Sequence, residues 1–111
     1  MILHVVPLVE WSADPGLPYR PSSLATEGFV HCSADEASAL AVADAHYRDV
    51  PGPLLALCVD ESALTAEVRW EGGGDVLFPH VYGPVERAAV TAVLEVRRDA
   101  EGRALGLAPR T

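Results

Sequence analysis

Apolar and polar positions fall into blocks of strand-like and helix-like period along the chain, and proline and glycine separate the blocks. ILHVV at residues 2–6 has four apolar residues in five, three of them β-branched, and predicts a short buried strand that Pro7 ends. Residues 8–13, which carry Trp11, suit a short helix, and the following DPGLPYRPSS is a run of turn formers predicted to be irregular. Gly28 opens a second strand, FVHC, after which Ser33 and Glu36 stand at capping-box spacing. A helix is predicted there, with Leu40, Ala43, Tyr47 and Val50 as its core stripe and Pro51, Gly52 and Pro53 as its end. LLALCV at residues 54–59 is an unbroken apolar run, as expected of a central strand covered on both faces, which places Cys58 in the core.

EVRWE at residues 67–71 alternates, so Glu67, Arg69 and Glu71 share one face of a strand while Val68 and Trp70 share the other. Gly72 to Gly74 predict a turn. VLFPHVYG is strand-like, but Pro79 cannot donate to a ladder, which predicts an edge strand, a bulge or a strand beginning at His80. AAVTAVLEV at residues 88–96 predicts the last strand, with a helix as the alternative its alanines allow. The pattern amounts to one α+β domain over residues 1–97 and a fraying tail over 98–111, without internal repeats.

Composition narrows the functions. Sixteen acidic residues against 8 basic ones give a net charge of -8, which removes the general electrostatic basis for holding nucleic acid or an anionic membrane and leaves a small molecule as the expected partner. Cys32 and Cys58 are too few for a disulfide scaffold, so a reducing cytoplasm is expected. The opening MILHVVPLVEW has no positive lead and is broken by Pro7 and Glu10, which predicts neither signal peptide nor membrane anchor.

Three of the four histidines lie in strand-like segments, His4 in LHV, His31 in GFVHCS and His80 in FPHVYGP, whereas His46 in the Ala-rich helix reads as incidental. On a strand, Phe29, His31 and Ser33 point one way and Val30 and Cys32 the other, so His31 and Cys32 cannot readily share a metal ion. C-x-x-C, H-E-x-x-H and H-x-x-x-H are all missing, and no metal is expected; a metal-dependent hydrolase using His4, His31 and His80 stays as an alternative. Strand parity instead favours one polar cleft made from His4, His31 with Ser33, Arg69 with Glu71, and His80 with Tyr82, provided the faces coincide. Such a set supplies imidazoles to move protons, a carboxylate to meet positive charge and an arginine for phosphate. Tyr19 and Arg20, in the longest irregular stretch, are further candidates for ligand contact. A nucleophilic role for Ser33 is opposed by the missing G-x-S-x-G elbow, and EGGGD lacks the Lys-Ser/Thr of a phosphate loop. Taken singly, each residue has a structural reading too: a hydrogen-bonded strand histidine, a capping serine, a solvated Arg69/Glu71 pair.

The succession LHV, PSSLATEGFVHCS, VRWE and FPHVYGP resembles domain-of-unknown-function family 952 over residues 1–97. The resemblance implies a fold similar to the ADP-ribosyltransferases, with a split, strongly bent sheet holding NAD as substrate in a cleft. It further implies that His4 holds ribose and His31 lies by the nicotinamide. The third position, a glutamate in typical transferases, falls here to His80 or Tyr82, with Glu71 as an unaligned substitute. The expected reaction is cleavage of the N-glycosidic bond, with Arg20 or Arg69 at the pyrophosphate, His80 as acid/base, and a small molecule or protein as acceptor. A ligand-binding module without chemistry is the alternative from another class.

Overall fold

The longest apolar run becomes the middle of the larger of two sheets. In the computed structural model, which describes residues 1–72 and 74–110, β1 (Ile2–Pro7), β2 (Val30–His31), β3 (Leu54–Val59), β4 (Glu67–Glu71), β5 (Phe78–Tyr82), β6 (Val90–Arg98) and β7 (Ala104–Pro109) pair antiparallel throughout. Four of them make a sheet in the order β1-β3-β6-β7, and three make a second sheet in the order β2-β5-β4. Three helices, α1 (Leu8–Trp11), α2 (Ser22–Glu27) and α3 (Glu36–His46), complete an α+β domain.

β3 is covered on both faces, as its composition requires. Leu55, Leu57 and Val59 join Ile2, Val6, Val30 and Val81 in the core between the sheets, while Leu54 and Ala56 join Leu3, Val5, Ala39 and Ala43 beneath α3. Each fully buried leucine of this strand contributes about 1.5–3 kcal/mol of transfer free energy. Cys58 is half-buried at the margin of the second cluster. Alanines at the inner face of α3 let the helix lie close on β1.

Several predicted boundaries move, each for a local reason. The cap of α3 is Asp35, whose side chain accepts from the Ser38 N–H at 2.8 Å, not Ser33. Ser33 is unavailable because its N–H and C=O both pair with Leu3, at 2.6 and 2.9 Å. The last two residues of the segment expected to stay irregular, Ser22 and Ser23, begin α2, and Gly28 ends that helix in the left-handed region (φ +86°) instead of opening a strand. Pro79 does not sit on an edge strand: β5 runs from Phe78 and is central in its sheet. Its carbonyl accepts from Cys32 on the β2 side, so its missing N–H also faces that side, just beyond the end of β2. The described part of the predicted fraying tail is ordered, since β7, Ala104–Pro109, pairs with β6 from Arg98 to Leu94 and packs against α3. The strand alternative holds for 88–96, where β6 follows a short 3₁₀ turn. Of the predicted glycine turn, Gly73 lies outside the described residues, as does Thr111 of the tail. Among the described residues no helix is long and apolar enough to cross a membrane.

Candidate functional site

Pairing of the three short strands puts three predicted residues in one row. His31 lies opposite His80, and His80 opposite Arg69, on the face away from Val30, Val81 and Val68, which turn into the core. Cys32 N–H bonds the Pro79 carbonyl at 3.1 Å, so the adjacent His31/His80 pair is one whose backbone groups do not bond each other and whose side chains approach closest. Their ring centroids are 5.4 Å apart with planes at 76°. Phe29, of the same parity as His31, stacks on His80 at 4.1 Å and lies 5.3 Å from the Tyr82 ring.

Each imidazole has its own carboxylate. His31 Nε2 bonds Glu27, and His80 Nδ1 donates to Glu71 Oε1 at 2.9 Å. Because a carboxylate only accepts, these bonds hold a proton on one nitrogen of each ring and leave His31 Nδ1 and His80 Nε2 bare in the neutral form. The Tyr82 hydroxyl donates to the same Glu71 oxygen; this bond, with that from His80, holds the Glu71 carboxyl below the usual carboxylate range, and the carboxylate pushes the Tyr82 phenol up. Arg69 pairs with Glu67 and lies 4.6 Å over the Tyr82 ring. Its hydrogen bond to Glu67 raises its pKa, so a fixed positive charge stands beside the imidazole row.

His4 is not part of this row, which corrects the expectation of three converging rings. It is 6% exposed, donates from Nδ1 to the His31 carbonyl at 2.6 Å and meets the Tyr19 hydroxyl at Nε2 at 3.0 Å. Burial lowers its pKa to about 4, so the ring is neutral at pH 7. Tyr19 is likewise buried and not loop surface, and desolvation raises its phenol above the ordinary value of 10. Ser33 is buried beside them through its backbone bridge to Leu3, and burial pushes the neighbouring Cys32 thiol up to about 12. Arg20 borders a separate depression of about 260 Å³ with Glu10, Asp14 and Arg87. It is not brought to the imidazole row. The alternative of a metal held by His4, His31 and His80 fails on the same geometry, because both His4 nitrogens are engaged and, among the described residues, no three His, Cys, Asp or Glu side chains stand where one ion could be held.

Two concavities meet at His31. One is a cavity of about 110 Å³ walled by His4, Tyr19, Ser22, His31, Ser33 and Tyr47. The other is a groove of about 450 Å³ between Glu27, His31, Val42, His46 and Tyr47. The groove is of small-ligand size, with Val42 and the Tyr47 ring as its apolar surface and Glu27, His31 and His46 as its polar groups. It brings in residues the sequence reading passed over. Phe29 was visible through its parity with His31, but Glu27 reaches His31 only because Gly28 reverses the chain, and His46 faces the groove only because α3 ends there.

Comparison with known proteins gives a family and a fold. The sequence profile described as Protein of unknown function (DUF952) matches residues 5–93. The crystal structure of protein CC0527 from Caulobacter crescentus is similar at 27% identity and a TM-score of 0.80, over 94% of this chain and 92% of that one. A double-mutant form of the same protein gives 26% identity and 0.79 over the same shares. No curated protein matches.

Proposed function

Since the chain belongs to the DUF952 family, we propose that it binds a nucleotide of the NAD or ADP-ribose type at the His31 junction, where His31 and His80 handle protons during cleavage of an N-glycosidic bond. One observation carries this reading: two imidazoles stand 5.4 Å apart, each backed by its own carboxylate, and one of them, His31, lines a groove of about 450 Å³. Acid/base catalysis needs a positioned proton donor or acceptor near the reacting bond, and each ring of this pair keeps one nitrogen out of its carboxylate bond.

Roles follow from the chemistry of each group. The base of the nucleotide packs against Val42 and Tyr47 in the groove, with His46 at its mouth. His31, in its protonated form with Nδ1–H as donor, polarises the leaving group, and neutral His80 takes the proton of the attacking water or acceptor. Glu71 uses only Oε1 for His80 and Tyr82 among the described residues, which leaves Oε2 to accept from a ribose hydroxyl and to stabilise an oxocarbenium-like transition state. Arg69, on the same face, meets the pyrophosphate. The net charge of -8 disfavours a polyanionic acceptor and suits a small molecule or a protein side chain.

The test is release of nicotinamide from NAD by the pure protein. The His31→Ala and His80→Ala variants are expected to lower the rate by about 10²-fold or more, the usual scale of positioned acid/base groups. Release no faster than in those variants removes catalysis. In that event a saturable change of Trp70 or Trp11 fluorescence with ADP-ribose supports a binding module, and the loss of both signals overturns the nucleotide reading.

A further inference from the structure

β2 is an edge strand, and the His31 carbonyl turns away from β5, where its own sheet offers no donor. His4 supplies one from the other sheet, through Nδ1–H at 2.6 Å. The two backbone bonds between Leu3 and Ser33 complete the seam. The Tyr19 hydroxyl donates to His4 Nε2 at 3.0 Å, which keeps the ring proton on Nδ1 and so selects the tautomer that reaches His31. Tyr19 is itself fixed by paired backbone bonds to Val85, 2.8 and 2.9 Å long, a few residues beyond β5. Arg87 ties down the segment before it, donating to the carbonyls of Leu17 and Ala13 at 2.9 and 3.0 Å while its guanidinium lies 4.2 Å over the Trp11 ring. A closed circuit therefore runs from β5 through Val85, Tyr19 and His4 to the backbone of His31, whose ring faces His80 back on β5.

We propose that Tyr19 and His4 are positioning residues: they set where the His31 imidazole stands relative to His80, and His4 does not touch the ligand. The consequence for catalysis rests on the nucleotide reading above; the mechanical claim does not. Loss of the His4 bond orphans a carbonyl at a two-residue strand, and the shift that follows is felt at the ring that strand carries. A ligand contact and a positioning contact separate cleanly, because the first acts on KM and the second on kcat.

Three variants carry the test. The side-chain amide nitrogen of asparagine reaches the place of Nδ1, and that of glutamine the place of Nε2. His4→Asn is therefore expected to keep the His31 and His80 ring resonances in the ¹H–¹⁵N spectrum near their original positions, with kcat for nicotinamide release within about threefold. His4→Gln and Tyr19→Phe are expected to move those resonances and to lower kcat about tenfold, with KM for NAD within about twofold. The reverse ranking of the two His4 variants, or a KM raised about tenfold at unchanged kcat, makes His4 a ligand contact and overturns the proposal. Tyr19→Phe keeps the ring and its packing, so it decides the matter if the His4 variants unfold. Should the unaltered protein release no nicotinamide, the catalytic part of that reading fails alone, and the spectra still decide: unmoved His31 resonances in Tyr19→Phe and His4→Gln overturn the positioning role.

Discussion

In the four-stranded sheet, β3 is covered on both faces, and the sheet's one histidine, His4, is 6% exposed with both ring nitrogens bonded inside the protein. In the three-stranded sheet His31 and His80 stand on the face away from the core, His31 with its side chain 51% exposed and His80 partly covered by Phe29, with one nitrogen each in a carboxylate bond and one bare. The same side chain therefore does two jobs. Where water is excluded, an unpaired nitrogen or a protonated ring costs free energy, so the structure supplies partners and keeps the ring neutral. Where water reaches, a bare nitrogen is tolerated and remains available for proton transfer.

The sharpest way to break this contrast is a pair of truncations. Leu57→Ala, in the dry sheet at 0% exposure, is expected to cost about 2–5 kcal/mol in urea denaturation. His31→Ala, whose side chain is 51% exposed on the outer face of the other sheet, is expected to cost about 1 kcal/mol or less. Similar losses from the two would erase the distinction between the sheets.

Acid titration of stability is the next largest effect. His4 has its pKa lowered from 6.5 to about 4 in the folded protein, so the unfolded chain binds the proton first. Its contribution is fully present above about pH 6.5 and is lost as pH falls from there towards 4, by about 3 kcal/mol in all. Denaturation midpoints measured across that window are expected to fall for the unaltered protein and to fall less for His4→Asn. Equal slopes would show that His4 is not the buried neutral base described.

The smallest effect belongs to the exposed rim. Arg69 and Glu67 have side chains 54% and 60% exposed, so Arg69→Ala is expected to leave the denaturation midpoint unchanged within error while weakening ADP-ribose binding about tenfold. A large stability loss without a binding loss would recast Arg69 as a structural residue.

Much of the site was legible because strand parity is local. Phe29, His31, Arg69, Glu71, His80 and Tyr82 share one face, as their alternation requires. Parity says nothing about depth, however, and His4, grouped with them by the same rule, lies beneath a different sheet. Ser33 carried a capping signature that Asp35 fulfils instead, since the backbone of Ser33 was claimed by Leu3, thirty positions earlier in the chain. The polar, small-residue segment after Arg98 has few large apolar groups, yet it finds a ladder on β6 and a cover in α3. Its order comes from non-local hydrogen bonds that no window of residues contains.

By itself the amino-acid order determined most of the strands though not β7, the doubly covered β3, the membership of the family, and which side of its own strand each histidine takes, because these follow from composition and a period of two residues. Only the tertiary structure decided which strands became neighbours. That choice paired His31 with His80, sent His4 into the seam between sheets with Tyr19, and turned Glu27 back towards His31. Adjacency between strands is settled by burying apolar faces and satisfying edge carbonyls across the whole chain, and those constraints act between residues far apart in sequence.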